Sequence, residues 1–133
     1  MTTSDRPIGV FDSGVGGVSV LREIRRALPA EDLIYLADSA YTPYGDRPAA
    51  LITERSIAMV QLLERHAVKA VVVACNTATG IAVDALRARF NMPIVAIEPA
   101  VKPAAARTRS GVVGVLATTQ TLASERFSKL VET

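Results

Sequence analysis

Cysteine, histidine and tryptophan are almost missing from this 133-residue chain, which has one Cys, one His and no Trp. One cysteine cannot close an internal disulfide, and one cysteine with one histidine cannot build a zinc site. Aromatic residues make up only 5%. The one uncompensated basic stretch, Lys102 to Arg109, holds no ring on which a base could stack, which argues against nucleic acid as a direct partner. Long apolar runs are missing too; none approaches the roughly 20 residues that span a bilayer. Met1 to Pro7 shows no basic start followed by an apolar core, so no secretory signal is read there and a cytoplasmic location is expected.

What is present suits a packed domain. Half of the residues are apolar, and the net charge is only +2. Bases and acids interleave along helical stretches such as Arg22-Glu23-Ile24-Arg25-Arg26, the pattern of a solvated helix face. Short β-branched runs alternate with longer helical ones. Ile8 to Phe11, Leu33 to Ala37, Ala70 to Ala74, Pro93 to Ile97 and Gly111 to Ala117 read as five strands. A helix after Gly17 places Val18, Leu21, Ile24 and Leu28 on one face, and Pro29 stops it. Another runs from Pro48 to about His66, with Ile52, Met59, Leu62, Leu63 and His66 inward; a third ends near Phe90. A short helix from Ala100 to Ala106 and a last one from Gln120 to Val131 complete the reading. This alternation predicts an α/β fold with a parallel, doubly wound sheet, three-layer and flavodoxin-like. Ligands of such sheets bind beyond the carboxyl ends of the strands. Asp12-Ser13-Gly14, Asp38-Ser39, Cys75-Asn76-Thr77 and Thr118-Thr119 all fall there.

Each of these segments has two readings. The turn Asp12 to Gly17 offers free N–H groups at a helix start, a seat for a carboxylate or phosphate, or it is simply a capped tight turn. With Gly14, Gly16 and then Ser19 it narrowly misses a dinucleotide fingerprint, for which Asp38 would mimic the ribose-binding acid. Cys75, at a strand-to-helix turn, is either a core residue or a thiol whose pKa the helix terminus lowers. Asn76 and Thr77 cap that helix or reach a ligand. Pro43-Tyr44-Gly45 is a rigid turn, or a place where a ligand approaches the backbone. His66 is read as a packing and dipole-compensating residue. Thr118, Thr119 and Thr121 suit an ordinary helix start.

Taken in order, Ile8 to Gly17, Tyr41 to Gly45, Ala74-Cys75-Asn76-Thr77-Ala78-Thr79, and Ile97-Glu98-Pro99 with Gly114 to Thr121 resemble the glutamate racemases of the aspartate/glutamate racemase superfamily. The resemblance implies a cofactor-independent enzyme that converts L-glutamate to D-glutamate for peptidoglycan by a two-thiol inversion. It implies that Cys75 is the first catalytic cysteine and that Asp12 assists its proton transfer. Asp12, Ser13, Tyr44, Gly45, Asn76, Thr77, Thr118 and Thr121 would contact the substrate. It also implies homodimers and, for some members, association with DNA gyrase, but no cofactor or metal. Residues 1–99 would be the first lobe and 100–133 the opening of a second, similar lobe. The family's second cysteine lies beyond position 133, so this chain is expected to be impaired in full racemisation. Two other readings stand beside this one: a non-catalytic remnant or interaction module, and a dinucleotide-binding domain.

Overall fold

The computed structural model describes residues 5–132; residues 1–4, part of the stretch searched for a signal, and residue 133 lie outside them. Four parallel strands form one sheet in the order β2-β1-β3-β4: β1 (Ile8–Asp12), β2 (Leu33–Ala37), β3 (Ala70–Val73) and β4 (Ile94–Ala96). In register, Val10 of β1 faces Tyr35 of β2 on one side and Val72 of β3 on the other. Three longer helices connect the strands: α1 (Val18–Ala27), α2 (Ala49–Arg65) and α3 (Asn76–Arg89). A 3-10 turn, Tyr44–Asp46, precedes α2.

Side chains that alternate along β1 sort the helices onto the two faces. Phe11 points into the larger core with Ile52, Met59, Val60 and Leu63 of α2 and Ala78, Ala82, Val83 and Leu86 of α3. Ile8 and Val10 point the other way, with Ala74, toward Leu21 and Ile24 of α1. The α/β three-layer expectation is therefore met. The sheet order reverses direction between β1 and β3, and in such sheets ligands bind beyond the carboxyl ends of the strands at this switch point. Among the described residues no helix is long and apolar enough to cross a membrane.

The chain departs from the sequence reading in four places. Gly111 to Ala117 is not a strand; it has no pairing partner among the described residues, and Val112 and Leu116 are largely exposed. Backbone groups without a neighbouring strand gain nothing from extension beyond what water offers. The last helix is two, α5 (Thr119–Ala123) and α6 (Glu125–Val131), after α4 (Val101–Arg107). Ser124 divides them because it takes an extended conformation and caps α6 by accepting from the Phe127 N–H. His66 is exposed rather than inward and ends α2 through its own backbone N–H, and Val18 is half exposed on α1. Pro103 is tolerated because it lies in the first turn of α4, where its missing N–H has no helical partner to lose.

Candidate active site

The β1 strand delivers Asp12 to the carboxyl edge of the sheet, where the side chain is buried. Its Oδ2 accepts the Gly17 N–H at 2.8 Å, and the Ser13 hydroxyl lies 3.5 Å from Oδ1. The acid thus occupies the N-terminus of α1, the seat a pyrophosphate would need in the dinucleotide reading. Gly17 has ordinary helical φ and ψ; its role is space. A Cβ there would lie 2.7 Å from Asp12 Cβ and 3.0 Å from Ala74 Cβ, both fixed by backbone. Gly17→Ala is therefore expected to lower stability by about 1–3 kcal/mol, read as a lower urea midpoint with an unchanged slope.

Next along the switch point stands Cys75, the residue that caps α3. Its Sγ accepts the Ala78 N–H at 3.4 Å and lies 3.7 Å from the Ser13 hydroxyl. Strand β3 and helix α3 thereby set the sulfur beside the Asp12–Ser13 loop, at the switch point of the sheet. The side chain is 6% exposed and also touches the main core. Burial pushes the thiol above its ordinary value of 9.0, and the Asp12 charge adds to this. The Ala78 N–H and the Ser13 groups pull the other way and lose. That goes against the reading of a lowered pKa: at this helix start desolvation outweighs the hydrogen bonds to the sulfur.

A second cluster gathers around the first turn of α3. The Thr77 and Thr118 hydroxyls are 2.9 Å apart, Thr118 and Thr121 3.0 Å, and Thr77 and Thr121 3.3 Å. Thr77 and Thr121 are buried while Thr118 is exposed, so Thr118 is the member of the trio open to a ligand. Three hydroxyls in a ring still keep spare lone pairs, which suits an ammonium, and can turn a donor outward to a carboxylate. Thr118 also caps α5 through the Thr121 N–H. Gly45 packs directly against it: a Cβ at position 45 would come within 2.6 Å of Thr118 Cγ2. Tyr44 beside it is fully buried, and its hydroxyl donates to Asp38 Oδ2 at 2.7 Å. That bond and burial hold the phenol neutral, far above its ordinary pKa.

The sequence-predicted residues thus form two clusters, Asp12–Ser13–Cys75 and Tyr44–Gly45–Thr77–Thr118–Thr121, joined through α3, on which Thr77 lies two positions after Cys75. Asn76 stands somewhat apart; it is exposed and borders a cavity of about 310 Å³ with Pro99, Ala104 and Leu116. Three residues at the site escaped the sequence reading in their actual roles. Tyr35 of β2 donates to the Gly14 carbonyl at 2.7 Å, and burial followed by the Asp12 and Cys75 charges raises its pKa. Asp38 appeared only as strand-end punctuation and ribose-acid mimic, and Arg55 not at all. They form a two-point ion pair, with Nε and Nη2 each 3.0 Å from a carboxylate oxygen. Among the described residues no group of three or more His, Cys, Asp or Glu is placed to hold a metal.

Known proteins share this fold. The chain is 58% identical over 133 residues to the glutamate racemase of Ectopseudomonas mendocina, covering 99% of this chain and 51% of that protein. It is 56% identical to that of Pseudomonas aeruginosa, covering 99% and 50%. The crystal structure of Escherichia coli glutamate racemase in complex with L-glutamate and the activator UDP-MurNAc-ala superposes with a TM-score of 0.87 at 45% identity, over 95% of this chain and 48% of that one. The glutamate racemase of Aquifex pyrophilus does so with a TM-score of 0.87 at 39% identity, over 95% and 50%. The chain spans about half the length of the curated relatives it matches. Residues 8–133 match the family model described as Asp/Glu/Hydantoin racemase, and the chain belongs to that family.

Proposed function

We propose that this chain supplies the glutamate-binding half-site and one catalytic thiol of a glutamate racemase. The observation that carries the reading is the meeting of Cys75, Ser13 and Asp12 where the sheet reverses direction. The proposed division places residues 1–99 in one lobe and 100–133 at the opening of a second. D-Glutamate serves peptidoglycan synthesis, which makes the cytoplasm the proposed place of action.

In the proposed reaction the Cys75 thiolate takes the α-proton of one enantiomer, and the electron pair left on carbon delocalises into the α-carboxylate. Asp12, connected to the sulfur through the Ser13 hydroxyl, is proposed to assist the transfer of that proton. Ser13, Asn76 and the backbone at Tyr44–Gly45 hold the polar ends of glutamate, together with Thr77, Thr118 and Thr121. Fixed donors matter because the α-hydrogen of an amino acid is barely acidic, and no pyridoxal ring is invoked to spread the charge. Returning a proton to the opposite face needs a second acid there. The 133 residues contain a single thiol. This chain alone is therefore proposed to exchange the α-hydrogen on one face with retention, without inverting glutamate.

Binding is tested by alkylating Cys75 with iodoacetamide at rising glutamate concentration and following the modified peptide by mass spectrometry. Saturable protection by glutamate, and none by succinate, is the expected result. Equal alkylation at every glutamate concentration would remove the reading.

A further inference from the structure

The segment from Tyr41 to Arg47, which carries Tyr44 and Gly45, is held from two sides by residues that are not among the proposed glutamate contacts. On one side stands Arg55 of α2. Its guanidinium grips Asp38 at two points, 3.0 Å each, and lies 4.0 Å from the centroid of the Tyr41 ring. The same Asp38 carboxylate accepts the Tyr44 hydroxyl at 2.7 Å. Arg55 therefore fixes both flanks of the turn, one through the Tyr41 ring and one through Asp38 and Tyr44. On the other side stands Gln120 of α5, whose Nε2 donates to the Arg47 carbonyl at 2.9 Å. Arg47 Nε closes the loop by donating to the Tyr41 carbonyl at 3.3 Å. Between these anchors Gly45 lies flat against Thr118, where no Cβ fits.

The consequence is geometric. Thr118 and Thr121 reach the site only through α5, whereas Tyr44 and Gly45 reach it only through the loop. The Gln120–Arg47 bond ties the two, and the Arg55–Asp38 pair ties the loop to β2 and α2. We propose that Arg55 and Gln120 are positioning residues for glutamate binding, which together hold the Tyr44–Gly45 backbone at a fixed spacing from the threonine trio and from Cys75. The inference rests on the glutamate reading of the site. It explains the choice of arginine, since a lysine would keep the charge but lose the second bond to Asp38 and the flat stacking on Tyr41.

The test uses the full 133-residue chain with glutamate and iodoacetamide. The readout is the glutamate concentration that halves Cys75 alkylation, beside the alkylation rate without glutamate. Arg55→Met is expected to raise the half-protecting concentration about tenfold, Arg55→Lys and Gln120→Ala several-fold. The unprotected alkylation rate and its pH profile should stay at wild-type values in all three, which general loosening of the fold would not allow. Because the Arg55→Met and Gln120→Ala changes act on one loop, their double variant should lose less than the product of the two. Should Arg55→Met fail to unfold cooperatively, Arg55→Lys and Gln120→Ala decide. Wild-type protection concentrations in both would overturn the inference and leave the glutamate reading standing. No protection of the wild-type chain would instead bring down the glutamate reading, and this inference with it.

Discussion

Replacing Cys75 with serine is expected to lower deuterium incorporation at the α-carbon of glutamate by about 10²–10⁴-fold, the usual worth of a positioned proton-transfer group. In heavy water the wild-type chain should exchange the α-hydrogen of one enantiomer and leave its configuration intact, followed by proton NMR and a chiral assay. Serine keeps the shape of the α3 cap, so the fold should survive while the base is lost. The pH dependence sharpens the test. Burial raises the free thiol above 9.0, and the Asp12 charge raises it further. The thiolate needed for alkylation should therefore appear only above the ordinary thiol range. On the proposed reading, bound glutamate would bring its ammonium near this buried sulfur and stabilise the anion. Exchange at saturating glutamate should accordingly rise at lower pH than alkylation of the free chain does. Coincident midpoints would contradict an approach of the ammonium to the thiolate. Stability carries the same sign. The folded chain holds the Cys75 proton more tightly than the unfolded one, so this contribution is intact below the ordinary thiol pKa and is lost as pH rises through the folded value.

Much of the scaffold was legible because it rests on local patterns. The run Ala70-Val71-Val72-Val73 reads as a strand covered on both faces, and Ile52, Met59 and Leu63 recur at helical spacing. The placing of Asp12 and Cys75 together followed from topology, since every strand of a parallel sheet ends at the same edge; Thr118 was read there from a fifth strand that does not form, and it meets Thr77 through the cap of α5 instead. What sequence reasoning missed depends on partners far along the chain. Gly111 to Ala117 has the composition of a strand, yet pairing is a property of two segments, and no strand pairs with it among the described residues. The Asp38–Arg55 pair joins residues 17 positions apart through two elements, and no local rule links them. The direction of the Cys75 shift was missed for a different reason: the helix start is visible in sequence, but the depth of burial that overrides it is not. The dinucleotide alternative failed on one atom, the Asp12 Oδ2 already seated on the Gly17 N–H.

Asp38→Ala is expected to cost about 3–5 kcal/mol, the range for removing one partner of a buried ion pair. Asp38 is 5% exposed, and its carboxylate is the shared acceptor of Arg55 and Tyr44. Without it a partly buried guanidinium loses its counterion, and the hydroxyl of a fully buried tyrosine loses its acceptor. Urea unfolding followed by circular dichroism would measure the loss; a change under about 1 kcal/mol, the value of an exposed pair, would mean that water replaces the carboxylate. Acid offers an independent check. Burial pushes the Asp38 carboxyl up, but the bonds from Arg55 and Tyr44 and the Arg55 charge outweigh it and leave it below its ordinary 3.8. Its folded pKa lies below the unfolded one, so the stabilisation is complete above the ordinary carboxylate range and is lost as pH falls through the folded value. Between neutral pH and that range the wild-type chain should hold its stability, then lose it more steeply than Asp38→Asn, in which nothing titrates at position 38. The loss should also reach the site: the Tyr44–Gly45 backbone is tied to this carboxylate, so Asp38→Asn should weaken glutamate protection of Cys75 while the chain remains folded.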